Sequence, residues 1–123
     1  MKRFFPALAI GLALPAMTAL AAEPAMEKNG MLVDAKGMTL YTFNQDSGGK
    51  SMCNSGCSEY WPPLKAAAGA KAMEDWTLVK RDDGSMQWAY YGKPLYTFVQ
   101  DKKPGDMTGE GKMGGAWHVA KTQ

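Results

Sequence analysis

The 123-residue chain is long enough for one domain and short for two. Its formal charge of +2 is carried by Lys2 and Arg3, because from residue 22 onward 12 basic side chains balance 12 acidic ones. A neutral body excludes a strongly basic nucleic-acid binder, and the lack of an 18-residue apolar run after residue 22 excludes a later membrane span.

The chain opens as an export signal. Met1-Lys2-Arg3 is a positive start, Phe4 to Leu14 is apolar, Pro15 breaks the run, and Ala19-Leu20-Ala21 offers small residues at a cleavage site. A retained anchor is the alternative, but Pro6, Gly11 and Pro15 interrupt the stretch. Residues 1–21 are therefore expected to be removed. No cysteine stands near the cleavage site to carry a lipid, so residues 22–123 are expected as one domain without a membrane anchor, in an oxidising compartment.

That body holds nine Leu or Val residues and no Ile, against four Trp, five Tyr, two Phe and eight Met. Disorder couples few aliphatics with high net charge and few aromatics, which is not the case here. The composition predicts a core of Trp and Tyr, with Met as adaptable filler in place of missing aliphatics.

Residues 23–29 read as a polar lead-in. Met31-Leu32-Val33, a turn at Asp34-Ala35-Lys36-Gly37, and the alternating Met38 to Phe43 predict a hairpin. Asn44 to Gly56 reads as loop. Trp61-Pro62-Pro63-Leu64 cannot be a central strand, because its prolines lack donors. Ala66 to Ala72 reads as a connector weakened by Gly69. Trp76 to Lys80 and Ser85 to Tyr91 are strands around Asp82-Asp83-Gly84. Leu95 to Val99 is a further strand, residues 101–115 a Gly-rich loop, and Ala116 to Ala120 a closing strand.

Shifted by 55 positions, Leu40-Tyr41-Thr42-Phe43 falls on Leu95-Tyr96-Thr97-Phe98, Asp46 on Asp101, Gly37 on Gly92 and Met31 on Met86, with Trp61 one residue short of Trp117. This is an internal duplication, and two copies are expected to pack face to face about a pseudo-twofold axis. The predicted fold is all-β: a small antiparallel domain of two pseudo-symmetric hairpin-based repeats with long loops, at about 30–66 and 76–121.

Tyr41 to Asp46 and Tyr96 to Asp101 each set a Tyr, four residues and an Asp, with Phe43 and Phe98 between. With Cys53 to Cys57 before Trp61-Pro62-Pro63-Leu64, and Gly105 to Gly111 before Trp117, the chain resembles the family of secreted repeats of unknown function. The resemblance covers roughly residues 30 to 121 and implies an exported bacterial protein, periplasmic or secreted. It implies no activity.

Cys53 and Cys57, in a Gly/Ser-rich loop of an exported chain, are expected to form a disulfide. A redox dithiol usually has two intervening residues ahead of a helix, and Ser58 to Pro62 is a poor helix start. Copper is the metal alternative, through these thiolates, His118 and methionines such as Met52, Met107 and Met113. Single His118, after Trp117 in an alternating strand, is expected to face solvent. Tyr41, Phe43, Tyr96 and Phe98 read as core pairs, with Asp46 and Asp101 accepting loop amides two or three residues on. No nucleophile motif occurs. The sequence thus points to an exported, non-catalytic binding or interaction module with an unknown protein or small-molecule partner, no cofactor and no metal; periplasmic copper handling is the alternative.

Overall fold

The structure is a computed structural model and describes residues 23–123; the export signal read at residues 1–21 lies outside them. The first repeat opens with strands β1 (Met26–Lys28) and β2 (Met31–Val33), paired antiparallel with Met26 opposite Val33. Asn29 and Gly30, at φ 54° and 80°, make the tight turn between them. Both central residues of such a turn need positive φ, which Asn-Gly tolerates best. The polar lead-in is thus a strand, a correction to the sequence reading.

The motif strand β3 (Tyr41–Phe43) follows, then a five-residue helix α1 (Gly56–Tyr60) and β4 (Lys65–Ala66). The helix is a second correction, since Ser58 to Pro62 reads as a poor helix start; Ser55 begins it without a side-chain cap. The second repeat holds β5 (Trp76–Lys80), β6 (Met86–Tyr90), β7 (Lys93–Pro94), α2 (Lys112–Gly115) and β8 (Trp117–Val119). Helix α2 is a single turn interrupted by left-handed Met113 and Gly114. Residues 95–99 run beside the first repeat's end as an irregular extension in which Tyr96 bridges Pro63, not as a regular strand.

Each repeat begins with a hairpin, β1–β2 or β5–β6, and continues into its motif segment, which is strand β3 in the first and the irregular residues 95–99 in the second. The segment that closes each sheet comes from the other repeat. β3 pairs with β8, placing Phe43 opposite Trp117. Correspondingly, Thr97 and Val99 donate backbone hydrogen bonds to Pro62 and Tyr60 of the first repeat. β4 pairs with β6 through Lys65 and Gln87, as Lys121 bridges Met31.

The backbone bonds repeat one for one. Leu32 donates to Ala120, Ala120 to Leu40, and Leu40 to Leu32, at 3.0, 2.8 and 3.1 Å. In the other half Trp88 donates to Leu64, Leu64 to Leu95, and Leu95 to Trp88, at 2.9, 2.9 and 3.1 Å. At the centre Tyr41 and Tyr96 exchange both backbone bonds, at 2.8 and 3.0 Å. The expected pseudo-twofold axis passes between them. These bonds set Leu32 against Trp88, 56 positions apart, so Met31 corresponds to Gln87 and not to Met86 as the uniform shift suggests.

Two apolar clusters fill the interior. One gathers Tyr41, Phe43, Cys53, Trp61, Tyr96, Phe98, Trp117 and Val119; the other includes Leu32, Leu40, Trp76, Trp88 and Leu95. No methionine of the described residues is fully buried, and Met26, Met52, Met107 and Met113 are exposed. Met31 and Met73 pack half-buried against the two clusters, so methionine fills only the core's margin and aromatic rings fill its centre.

Candidate functional site

The duplicated motif builds the centre of the molecule. The Tyr41 hydroxyl donates to Asp101 Oδ2 at 2.7 Å, and the Tyr96 hydroxyl to Asp46 Oδ2 at 2.6 Å. Each tyrosine thus serves the aspartate of the other repeat. The remaining carboxylate oxygens accept Met52 N (2.7 Å), or Thr108 N and Oγ1 (2.9 and 2.5 Å). These loop amides lie six or seven residues on, so the expected short Asx-type turns are corrected to longer clamps.

Burial, then the bond to Asp101, pushes the Tyr41 phenol far above its ordinary range; burial and Asp46 do the same for Tyr96. Burial likewise raises Asp46. Both tyrosines are fully enclosed and neutral, and hold the repeats together.

Four rings stack through the core in the order Phe43, Trp117, Trp61, Phe98, with centroids 4.2, 3.8 and 4.1 Å apart. Tyr41 meets Trp61 edge-on at 5.2 Å and Tyr96 meets Trp117 edge-on at 5.0 Å. The predicted motif residues therefore converge on one scaffold spanning both copies. Trp117 Nε1 is buried without a partner among the described residues.

The repeats differ in what surrounds the Tyr–Asp pairs. In one, Arg81, 6% exposed, donates to Ser51 Oγ (3.0 Å), Gln87 Oε1 (2.8 Å), Cys53 O (2.6 Å) and Asn54 Oδ1 (3.3 Å). Ser51 Oγ lies 2.6 Å from the Tyr96 hydroxyl, continuing a chain from the guanidinium to Asp46. The other has no buried arginine; Gly109 N donates to the Tyr41 hydroxyl at 3.1 Å. Gly109 has no room for more: a Cβ would stand 2.6 Å from Trp61 Cη2 and 3.0 Å from Tyr41 Cε2. Neither Arg81 nor Gly109 carries a local sequence signal for its role.

Cys53 and Cys57 are disulfide-bonded. Their thiolates are thereby withdrawn from a copper site, and among the described residues no three His, Cys, Asp or Glu side chains gather as metal ligands.

Two surface grooves, the larger ones, bear on binding. An open apolar groove of about 370 Å³ is lined by Cys57, Tyr60, Trp61, Phe98, Lys112 and Met113, with Gly56 and Gln100. Tyr60 and Met113 are 58% and 67% exposed. The Lys112 ammonium lies 5.9 Å from the Phe98 ring centroid, and no carboxylate lines the groove.

The second groove, about 380 Å³, is polar and crosses the exchanged β3–β8 pair. Here His118 Nδ1 is 2.8 Å from Glu110 Oε2, and Glu110 Oε1 accepts Val119 N at 2.7 Å. The Val119 amide, then the imidazole, hold the Glu110 carboxyl below its ordinary range. His118 is half-exposed, as strand alternation predicts. Lys93, Lys121, Thr42 and Tyr90 share the wall with Asn44 and Gln123, over Leu95 and Ala120. Glu110 escapes sequence reading, being one acid in a Gly-rich loop eight residues before its partner.

The sequence pattern of one family, described as a secreted repeat of unknown function, matches residues 25–65 and 77–121, most of the described chain. The chain belongs to that family. Both matches span a whole structural repeat, from opening hairpin to closing segment, so the family unit and the exchanged unit coincide. This secreted-repeat family is described as secreted, and among the described residues no helix is long and apolar enough to cross a membrane. No curated protein and no solved structure matches the chain.

Proposed function

We propose that this secreted-repeat protein is a non-catalytic binding module of the periplasm or cell exterior, and that its apolar groove receives a hydrophobic, acidic segment of a partner protein. The carrying observation is the groove itself: Tyr60 and Met113 stand exposed around Trp61 and Phe98, with one lysine and no acid among the lining residues. Tyrosine and methionine are enriched at protein interfaces, and methionine adapts to varied shapes. An open groove fits a few anchoring side chains better than a small molecule needing burial on most of its surface. Lys112 supplies the charge preference. The motif tyrosines and aspartates are committed to the scaffold, which supports binding over catalysis.

The test is an amide NMR titration with two blocked tetrapeptides, one with Phe-Leu between acids and one with Phe-Leu between lysines. The acidic peptide should shift the Trp61, Gln100 and Met113 amides saturably, and Lys112→Glu should reverse the preference. Equal response to both peptides, or shifts scattered over the surface, would sink the proposal.

A further inference from the structure

The duplication supplies an internal control for the polar groove. Thr42 opposite His118 in β3–β8 corresponds to Thr97 bonded to Pro62 O in the other half. Counting from the equivalent clamps at Met52 and Thr108 places Asn54 against Glu110. One copy of the fold therefore stands with Pro62 and Asn54 where the other carries His118 and Glu110. The scaffold does not require an imidazole there.

The unspent groups of the groove are mainly donors. Glu110 uses both oxygens, on Val119 N and His118 Nδ1. Asn44 Nδ2 donates to Gly115 O. The Tyr90 hydroxyl accepts Gln123 N and keeps its own proton. What remains to meet a ligand is the Lys93 and Lys121 ammonium groups, the Thr42 and Tyr90 hydroxyls, His118 Nε2, Asn44 Oδ1 and the Gln123 side-chain amide. Two cations and two hydroxyl donors suit an oxyanion, which accepts charge-assisted hydrogen bonds, and His118 Nε2 joins them as a donor when the ring carries both protons. Glu110 fixes the imidazole through Nδ1, the arrangement by which a carboxylate sets which nitrogen faces a ligand.

We propose that this groove binds a small multiply charged oxyanion, a phosphate or dicarboxylate, between Lys93, Lys121 and His118. It shares no lining residue with the apolar groove, so either proposal can fail alone.

The test uses the folded protein with inorganic phosphate in one titration and succinate in a second, at constant ionic strength, followed by amide and histidine side-chain NMR. Val119, Lys121, Lys93 and the His118 ring should shift saturably with a Kd on the order of 1 mM for at least one anion. The stronger response names the ligand class. Lys93→Ala and Lys121→Ala should each weaken binding about three- to tenfold, as for partly exposed charged contacts, and the double variant should abolish it. His118→Gln should also weaken it, with urea midpoints unchanged for all three positions. Linear shifts, or shifts spread equally over other surface lysines such as Lys28 and Lys36, would overturn the proposal. So would binding unaffected by the double variant.

Discussion

The two repeats share their backbone and differ in what fills it. Each tyrosine crosses to the other's aspartate, and each tryptophan stacks on its counterpart. Around Tyr96 the polar surroundings are a buried Arg81, Ser51 and a disulfide-closed loop; around Tyr41 they are one backbone amide of Gly109. A shared feature is what the fold needs. A feature of one copy is either a local solution to the same structural problem, as Arg81 and Gly109 are, or a site for use, as proposed for His118.

If the ring stack is common property, Trp61→Ala and Trp117→Ala should each destabilise by about 3–5 kcal/mol, with nearly equal losses in urea melts. A large inequality would break the symmetry argument. Arg81 sharpens the comparison from the other side. Arg81→Ala should cost about 3 kcal/mol, because several buried acceptors lose a charged donor at once. Gly109→Ala should cost roughly 1–3 kcal/mol by overpacking against Trp61, although the equivalent position of the first repeat holds Cys53 with its side chain in the core. A Gly109→Ala protein as stable as its parent would mean that the two cores tolerate the same side chains.

The smallest effect at neutral pH is electrostatic. Tyr41 and Tyr96 have folded pKa values above the unfolded value of about 10, so the stability they confer is complete below that pH and is lost as pH rises through the folded values. Ultraviolet titration should show these phenols ionising only as the fold melts in alkali, both in the same transition. One ionising early would mark its repeat as the looser.

The duplication, the core tyrosines, the disulfide and the half-exposed His118 are legible in the sequence, because each rests on local spacing or alternation. Strand β1 is hidden by its polar neighbours, and only the turn pair Asn29-Gly30 betrays it. Helix α1 is not legible, since Ser55 makes no side-chain cap and Gly56 to Tyr60 has weak helical preference. The exchange of closing segments leaves no trace, because spacing is the same whether a strand pairs within its copy or across. For the same reason Asp46 and Asp101 read as bound to their own loops alone, and the opposite tyrosines that serve them do not show in the spacing. Arg81 reads as a surface charge beside Asp82 and Asp83, and only its enclosure shows otherwise.

Reciprocity between the copies is the claim on which the rest depends, and double-mutant cycles measure it directly. Tyr41→Phe with Asp101→Asn, and Tyr96→Phe with Asp46→Asn, should each show a coupling of about 1–3 kcal/mol in urea unfolding, as for neighbours sharing a buried bond. Tyr41→Phe with Asp46→Asn should be additive within about 0.5 kcal/mol. Coupling within each repeat and additivity across them would contradict the exchanged architecture.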